Sequence, residues 1–275
     1  MEEGSFPSAS TTSNVVVPID GTLKTRVSGF FCIIFLMLLD LIFPQKCLGC
    51  GKTGGYFCSF CLNLVSLEPK RICSACQKSS LGGFTHPGCR TPQGLDGLTS
   101  IFAYKGVVKK AITKLKYKFV SDLAQDLVEL FLSFCGEDRV FSIFCLSRGE
   151  ALRGSQNDVF FVPVPLHSSR KRWRGFNQAE LLGKMMSSNL GIKFLPEALK
   201  RVKKTKPQVK LNKEERKKNI QGAFELNKNH KSLIIDHPSF IIFDDVWTSG
   251  ETLKEAAKVL KRNGAQKVWG LTIAR

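Results

Sequence analysis

Residues 241–252 constrain the fold of this chain more than any other segment. An apolar Ile-Ile-Phe run ends at two adjacent carboxylates, Asp244 and Asp245, and a short loop separates them from a helix-compatible segment. This order places both acids at the carboxyl end of a buried strand, where open α/β sheets bind ligands. The loop lies over a helix N-terminus, whose free N–H groups favour an anion. Acids suited to sugar hydroxyls beside a phosphate-sized turn indicate a phosphorylated sugar.

The loop itself combines hydroxyl groups with a glycine and an acid. Its residues are Thr248, Ser249, Gly250, Glu251 and Thr252. Glycine allows a positive φ or a close approach of the backbone to a ligand. The same residue types also form ordinary helix-capping turns, so the loop alone leaves both interpretations open.

The composition allows a globular fold and indicates anionic partners. The chain has 275 residues and is 43% hydrophobic, which suffices for one large domain or two modest ones. Its formal net charge is +18. Such an excess implies affinity for polyanions without deciding between nucleic acid, phosphorylated metabolites and anionic membrane.

Seven of the ten cysteines lie between residues 47 and 89, in repeated Cys-x-x-Cys pairs. A disulfide framework does not need such gaps, whereas a tetrahedral zinc site does, because the knuckle lets two thiolates reach one ion. We predict one or two structural Zn²⁺ ions, although the pairing of the ligands could interleave. The first site is expected to use Cys47, Cys50, Cys58 and Cys61, and the second Cys73, Cys76, His86 and Cys89.

Three regions are predicted along the chain. Residues 1–29 read as a flexible leader, residues 30–92 as an apolar helix followed by zinc ribbon, and residues 94–275 as an α/β domain. The apolar run at 30–43 is shorter than the ~20 residues of a spanning helix, and Asp40 interrupts it, so we predict no membrane span. Cysteine usage without a disulfide framework indicates a reducing compartment, either cytoplasm or plastid.

The α/β domain is predicted from its periodicity. Residues 94–134 read as helical, because apolar residues recur at three- and four-residue steps. Further along, short β-branched and aromatic runs alternate with amphipathic segments. Alternating strands and helices indicate a parallel sheet with helical crossovers. The expected strands are 159–164, 240–243 and 267–273, and the expected helices 178–190 and 252–262.

Several blocks together resemble a known family. Residues 241–252 are similar to the phosphoribosyl pyrophosphate signature of type I phosphoribosyltransferases. Val-Pro-Val-Pro-Leu at 162–166, Arg-Gly-Phe-Asn-Gln at 174–178 and Lys-Leu-Lys-Tyr at 114–117 resemble the ComF family, which includes the GntX-like proteins. The resemblance implies a type I phosphoribosyltransferase-like α/β fold, a parallel sheet with flanking helices, preceded by a small zinc-ribbon module.

The resemblance also implies roles for individual residues. Asp244 and Asp245 would be the catalytic pair that binds the ribose, and residues 248–252 would hold the 5′-phosphate. A basic loop at 203–216 would close over the site. The other substrate-binding residues implied are Val164, Pro165, Arg174, Lys206, Gln208 and Arg216.

The implied activity is a glycosyl transfer, in which an unidentified acceptor displaces pyrophosphate from C1 of phosphoribosyl pyrophosphate with Mg²⁺ bound to the substrate. Trp247 is bulky for its place and could stack on or crowd the acceptor base.

Two alternatives to this activity stay open. One is a module that binds single-stranded DNA, which the basic clusters at 170–174 and 200–218 favour. The other is a phosphoribosyl pyrophosphate sensor on the same fold that does not catalyse transfer.

Overall fold

The structure is a computed structural model that describes residues 44–67, 70–117, 121–135, 159–205, 212–236 and 239–275. The predictions for the leader, for the apolar run at 30–43 and for Lys206 and Gln208 lie outside these residues. Gln45–Arg275 form one compact unit. The predicted boundary near residue 93 therefore stays a prediction.

The fold is built on a five-stranded parallel sheet with the order β1-β7-β6-β2-β3. A separate antiparallel pair, β4-β5, lies outside it. This architecture confirms the predicted α/β fold class. The strands are β1 (Gly97–Phe102), β2 (Val159–Pro163), β3 (Lys193–Phe194), β4 (Leu199–Arg201), β5 (Phe224–Leu226), β6 (Ser239–Val246) and β7 (Lys267–Ala274).

Helices cover both faces of the sheet, so the central strands are apolar on both sides. In β6, Ile241 and Phe243 belong to one apolar core, whereas Phe240 and Ile242 belong to the other. The alternation follows from the two-residue period of a strand. The helices are α1 (Ser59–Asn63), α2 (Gly106–Tyr117), α3 (Ser121–Cys135), α4 (Ser168–Arg174), α5 (Gln178–Leu190), α6 (Lys213–Ile220), α7 (Lys231–Asp236) and α8 (Glu251–Arg262).

Local sequence explains the helix ends beside the site. Asn177 caps α5 by accepting a hydrogen bond from the N–H of Ala179, and Gly191 ends that helix with a φ of 65°. Helix α8 presents a stripe of small and branched apolar residues to the sheet, namely Leu253, Ala256, Ala257 and Leu260.

One prediction about the fold is wrong. Residues 97–102 form a fully buried strand, β1, where we expected helix from residue 94 onward. The helical period begins only at α2, and β1 is held by its parallel pairing with β7. Gly97 is part of the reason, because a Cβ there would lie 2.1 Å from the ring of Trp269.

Candidate functional site

The two acids lie near the carboxyl end of β6, the strand between β2 and β7. Asp245 is 5% exposed, whereas Asp244 is only partly buried and its Oδ1 accepts a hydrogen bond from the N–H of Asp245 at 2.9 Å. Burial and the neighbouring Asp245 raise the pKa of Asp244 to about 7, although Lys116 and Arg201 oppose that rise. Asp244 is therefore only partly ionised near neutral pH.

Asp245 is fixed by two side chains from separate motifs. Lys116 Nζ lies 2.9 Å from its Oδ2, and Gln178 Nε2 donates to the same oxygen at 2.9 Å. Arg174 in turn donates to Gln178 Oε1. Burial alone would lower the pKa of Lys116, but the Asp245 carboxylate raises it. The blocks at 114–117 and 174–178 thus converge on one carboxylate. Lys116 was not among the predicted site residues, although its motif was noted.

The turn after β2 is attached to the same strand end. Val164 donates its N–H to the carbonyl of Phe243 at 2.8 Å, and Asn177 Nδ2 donates to the carbonyl of Val164 at 3.0 Å. Val164 is buried, whereas Pro165 is partly exposed beside it. The proline-rich block is therefore held next to the acid pair.

The loop at 248–252, which we call the hydroxyl loop, leads into α8. Gly250 is the N-cap of this helix and has a φ of 77°. A Cβ at Gly250 would lie 2.1 Å from the Trp247 ring, so the glycine is required by close packing as well as by its φ. Trp247 is 2% exposed and belongs to the core beneath the loop. The suggestion that Trp247 stacks on a base is therefore wrong.

The loop backbone is held from two sides. The carbonyl of Ser249 accepts hydrogen bonds from Gln77 Nε2 and Lys254 Nζ, both at 3.3 Å. Lys254 also pairs with Glu251 at 3.1 Å, while Thr248 is exposed. The Ser249 hydroxyl is buried and has no hydrogen-bond partner within the described ranges. It is a donor placed beside a helix N-terminus, where an anion is favoured.

Two further predicted residues, Arg174 and Arg216, lie in helices. Arg174 and Gln178 connect α4 and α5 to the acid pair. Arg216 lies in α6, a helix started by a capping box between Asn212 and Glu215. The closing loop at 203–216 stays a prediction, because residues 206–211 are not described.

The cysteines form two separate groups rather than an interleaved one. We call residues 45–67 the first module and residues 70–96 the second module. In each group the four ligand atoms lie within 4.8 Å of one another. The ligand residues of the first module are Cys47, Cys50, Cys58 and Cys61, and those of the second module are Cys73, Cys76, His86 and Cys89.

The spacing and chemistry of both groups fit zinc. Sulfurs on a tetrahedral zinc ion lie about 3.8 Å apart, given Zn–S bonds of about 2.3 Å; those of Cys50 and Cys58 are 3.6 Å apart. In the second module, His86 Nδ1 lies 3.4 Å from the Cys76 sulfur, and its Nε2 is 3.0 Å from the carbonyl of Ser79. That carbonyl would fix the tautomer and orientation of the ring. Each group could hold a structural Zn²⁺ ion.

The thiols in each group titrate very differently. Burial alone would raise the pKa of Cys47, but hydrogen bonds from backbone N–H groups lower it to about 6. Burial and the neighbouring thiols raise the pKa of Cys61 to about 12. Four crowded thiols cannot all ionise without a cation, and a bound metal would supply that cation.

Comparison with known proteins gives three informative relatives, while no protein-family model matches the chain. Competence protein F of Haemophilus influenzae is 39% identical over 117 residues, which span 41% of this chain and about half (49%) of that protein. DNA utilization protein YhgH of Salmonella typhimurium is 30% identical over 222 residues, 78% of this chain and 88% of that protein. Competence protein ComFC of Bacillus subtilis is 23% identical over 241 residues, 77% of this chain and 88% of that protein.

The parallel sheet and the cysteine modules define a zinc-ribbon protein of the α/β class. The chain belongs to the ComF family, as its sequence motifs predicted, and that family is related to the phosphoribosyltransferases by fold. None of the helices in the described ranges has both the length and the apolar content needed to cross a bilayer. The compartment stays a prediction.

Proposed function

We propose that the chain binds phosphoribosyl pyrophosphate and transfers its phosphoribosyl group to an acceptor. The observation that carries this proposal is the acid pair of β6 placed between the β2 turn and the start of α8. Ionised carboxylates accept hydrogen bonds from ribose hydroxyls, and the N-terminus of α8 favours the 5′-phosphate. The partly exposed Asp244 is the acid available to the sugar, whereas Lys116 and Gln178 hold Asp245 in place.

In this proposal the acceptor forms a bond to C1 of the ribose as the bond to pyrophosphate breaks. The turn at Val164 and Pro165 would face the leaving pyrophosphate, and the basic loop at 203–216 would exclude water when closed. A cation near Asp244 would relieve the repulsion from Asp245 that raises its pKa, so the pair fits a Mg²⁺-bound substrate. Mg²⁺ would supply charge neutralisation for the leaving group.

Calorimetric titration with phosphoribosyl pyrophosphate and Mg²⁺ tests the binding. Asp244→Asn should weaken binding at least tenfold, because an amide accepts fewer hydrogen bonds than a carboxylate. An acid with a raised pKa stays protonated until the pH approaches that value, so affinity should rise about three- to tenfold between pH 6 and pH 8. Asp244→Asn should flatten that rise. Absence of binding to the parent protein would refute the proposal, and binding without pyrophosphate release across a panel of acceptors would support the sensor.

A second candidate function is binding of single-stranded nucleic acid. Trp173 is 73% exposed on α4, next to the exposed Lys171 and Arg172. An exposed ring among cations can stack on a base while the cations contact phosphates. The relatives named for competence and DNA utilization also favour this function.

Fluorescence anisotropy with a labelled oligothymidylate distinguishes the two candidate functions. Trp173→Ala should weaken oligonucleotide binding and leave phosphoribosyl pyrophosphate binding unchanged, whereas Asp244→Asn should do the reverse. If neither variant changes oligonucleotide affinity in low salt, the nucleic-acid function at α4 is excluded.

A further inference from the structure

Two arginines from separate elements meet on one buried residue, Thr205. Arg170 Nη2 of α4 donates to the Thr205 carbonyl at 2.8 Å, and Arg201 Nη2 of β4 donates to the Thr205 hydroxyl at 2.6 Å. Thr205 is 6% exposed and directly precedes the undescribed part of the predicted closing loop. The two guanidinium groups are therefore held close together by a fixed point of the fold.

This pair of like charges is not neutralised by an ion pair in the described part of the chain. No carboxylate within the described ranges forms an ion pair with Arg170 or Arg201. Arg201 lies over the ring of Phe224, 5.3 Å from its centroid, and its buried Nε has no hydrogen-bond partner in the described part of the chain. Two adjacent cations, one of them with an unused donor, are costly unless an anion joins them.

Arg201 interacts electrostatically with the acid pair, and Arg170 is linked to it through Arg201. Burial and the charge of Arg170 lower the pKa of Arg201 to about 10, while Asp244 opposes that change. Arg201 in turn opposes the raised pKa of Asp244, so the two groups are close enough to interact. Arg170 lies in α4, five residues after the β2 turn that the proposed function assigns to the leaving group.

We propose that Arg170 and Arg201 form an anion subsite beside Asp244 that binds a phosphate or carboxylate group. Guanidinium groups present their N–H donors as a planar fork, which suits two oxygens of one such group. The subsite follows from the arginines alone, but the identity of its anion rests on the proposed function. Within that function the anion is either the diphosphate of phosphoribosyl pyrophosphate or a charged group of the acceptor.

Inorganic pyrophosphate is the probe for the subsite, titrated by calorimetry into the full-length, zinc-loaded protein. Arg201→Gln and Arg170→Gln should each weaken pyrophosphate binding at least tenfold. The matched control is Arg262→Gln, which removes the same charge from an exposed position at the end of α8 and should change affinity less than twofold. Equal affinities in the parent and both subsite variants, or no binding of pyrophosphate to the parent, would overturn the subsite.

A second variant guards against misfolding. Thr205→Val keeps both charges but removes the hydroxyl that orients Arg201, and it should weaken pyrophosphate binding about three- to fivefold. Zinc content and thermal unfolding establish that each variant is folded. If a folded Thr205→Val protein binds as the parent does, Arg201 is not positioned by Thr205 and the subsite as described is wrong.

Competition then identifies the source of the anion. If pyrophosphate and phosphoribosyl pyrophosphate exclude each other and both depend on Arg201, the subsite holds the diphosphate. If Arg201→Gln leaves phosphoribosyl pyrophosphate binding unchanged but weakens pyrophosphate binding, the subsite binds a charged group of the acceptor. Arginine-dependent pyrophosphate binding without any phosphoribosyl pyrophosphate binding would refute the proposed function and leave the subsite standing. If phosphoribosyl pyrophosphate binding depends on Asp244 and neither ligand depends on the arginines, the proposed function stands and the subsite is refuted.

Discussion

The first and second modules have similar knuckles but differ in the residue that follows the second knuckle cysteine. Each knuckle closes with an isolated bridge, Lys46 to Thr53 in the first and Ile72 to Ser79 in the second. The residue after the second knuckle cysteine has a positive φ in both. In the first module that residue is glycine, whereas in the second it is Gln77, with a φ of 62°.

The modules also contact different parts of the molecule. The first module packs on α2, where Lys110 Nζ donates to the Gly49 carbonyl at 3.3 Å and Lys114 lies 4.6 Å from the centroid of the Tyr56 ring. Helix α2 carries Lys116, the partner of Asp245. The second module instead contacts the hydroxyl loop directly through Gln77. The comparison teaches that two similar cysteine modules support different parts of the candidate site, the first through helix α2 and the second by direct contact.

Loss of either zinc centre should have the largest effect. Cys61→Ser and Cys73→Ser should each remove about one zinc ion per chain and cost several kcal/mol of stability, because the metal supplies much of the folding free energy of such modules. Cys73→Ser should also weaken phosphoribosyl pyrophosphate binding at least tenfold, and Cys61→Ser clearly less. Metal analysis measures the zinc content, and calorimetric titration at 10 °C measures the affinity for phosphoribosyl pyrophosphate. Equal losses of affinity would remove the distinction between the modules.

Removal of Lys116 tests the route through α2. Lys116→Met should lower the free energy of unfolding by about 2–3 kcal/mol, because Asp245 would keep a buried charge with only Gln178 as a described polar side-chain partner. Lys110→Met, on the same helix but exposed, should cost no more than about 0.5 kcal/mol. Urea unfolding measures both.

A double variant sharpens that test. Lys116→Met with Asp245→Asn removes both charges and should recover part of the loss, as expected for a coupled pair. A strictly additive result would mean that the 2.9 Å contact between Lys116 and Asp245 contributes nothing to stability.

Local signals explain what the sequence could predict. The strand at β6, helix α8 and both cysteine groups were predictable because their periodicity or spacing lies within a few residues. Strand β1 was missed because six buried residues carry no alternation and a helix follows closely. The strands β3, β4 and β5 were missed because two or three residues are too short for a pattern.

The sequence could not predict which residues from distant segments meet in the folded protein. Lys116, Gln178 and Asp245 come from three segments, and only folding shows that they meet at one oxygen. In the sequence, Arg170 and Arg201 likewise belong to two separate basic clusters. In the structure both donate hydrogen bonds to Thr205. Trp247 was misassigned because its neighbours bear the ligand motif, whereas packing beneath Gly250 decides its place.

The smallest expected effect is at Gln77, and it tests the difference between the knuckles at the positive-φ position. A non-glycine residue at positive φ costs about 1 kcal/mol, and from this strained position the Gln77 side chain donates to the Ser249 carbonyl. Gln77→Gly should relieve the strain, leave stability unchanged or higher, and weaken phosphoribosyl pyrophosphate binding about two- to fivefold. Gln77→Ala should weaken binding equally but lower stability by about 1 kcal/mol, since alanine keeps the strain.

The matched change in the first module is Gly51→Gln. A Cβ at Gly51 meets no atom within 4 Å, so this substitution adds strain alone, without a clash and without the loop as a partner. It should cost about 1 kcal/mol of stability and leave ligand affinity unchanged. If Gly51→Gln weakens binding as much as Gln77→Gly does, the two knuckles influence the site by the same indirect route. The Gln77 amide would then have no special role in holding the loop, and its positive φ would need another explanation.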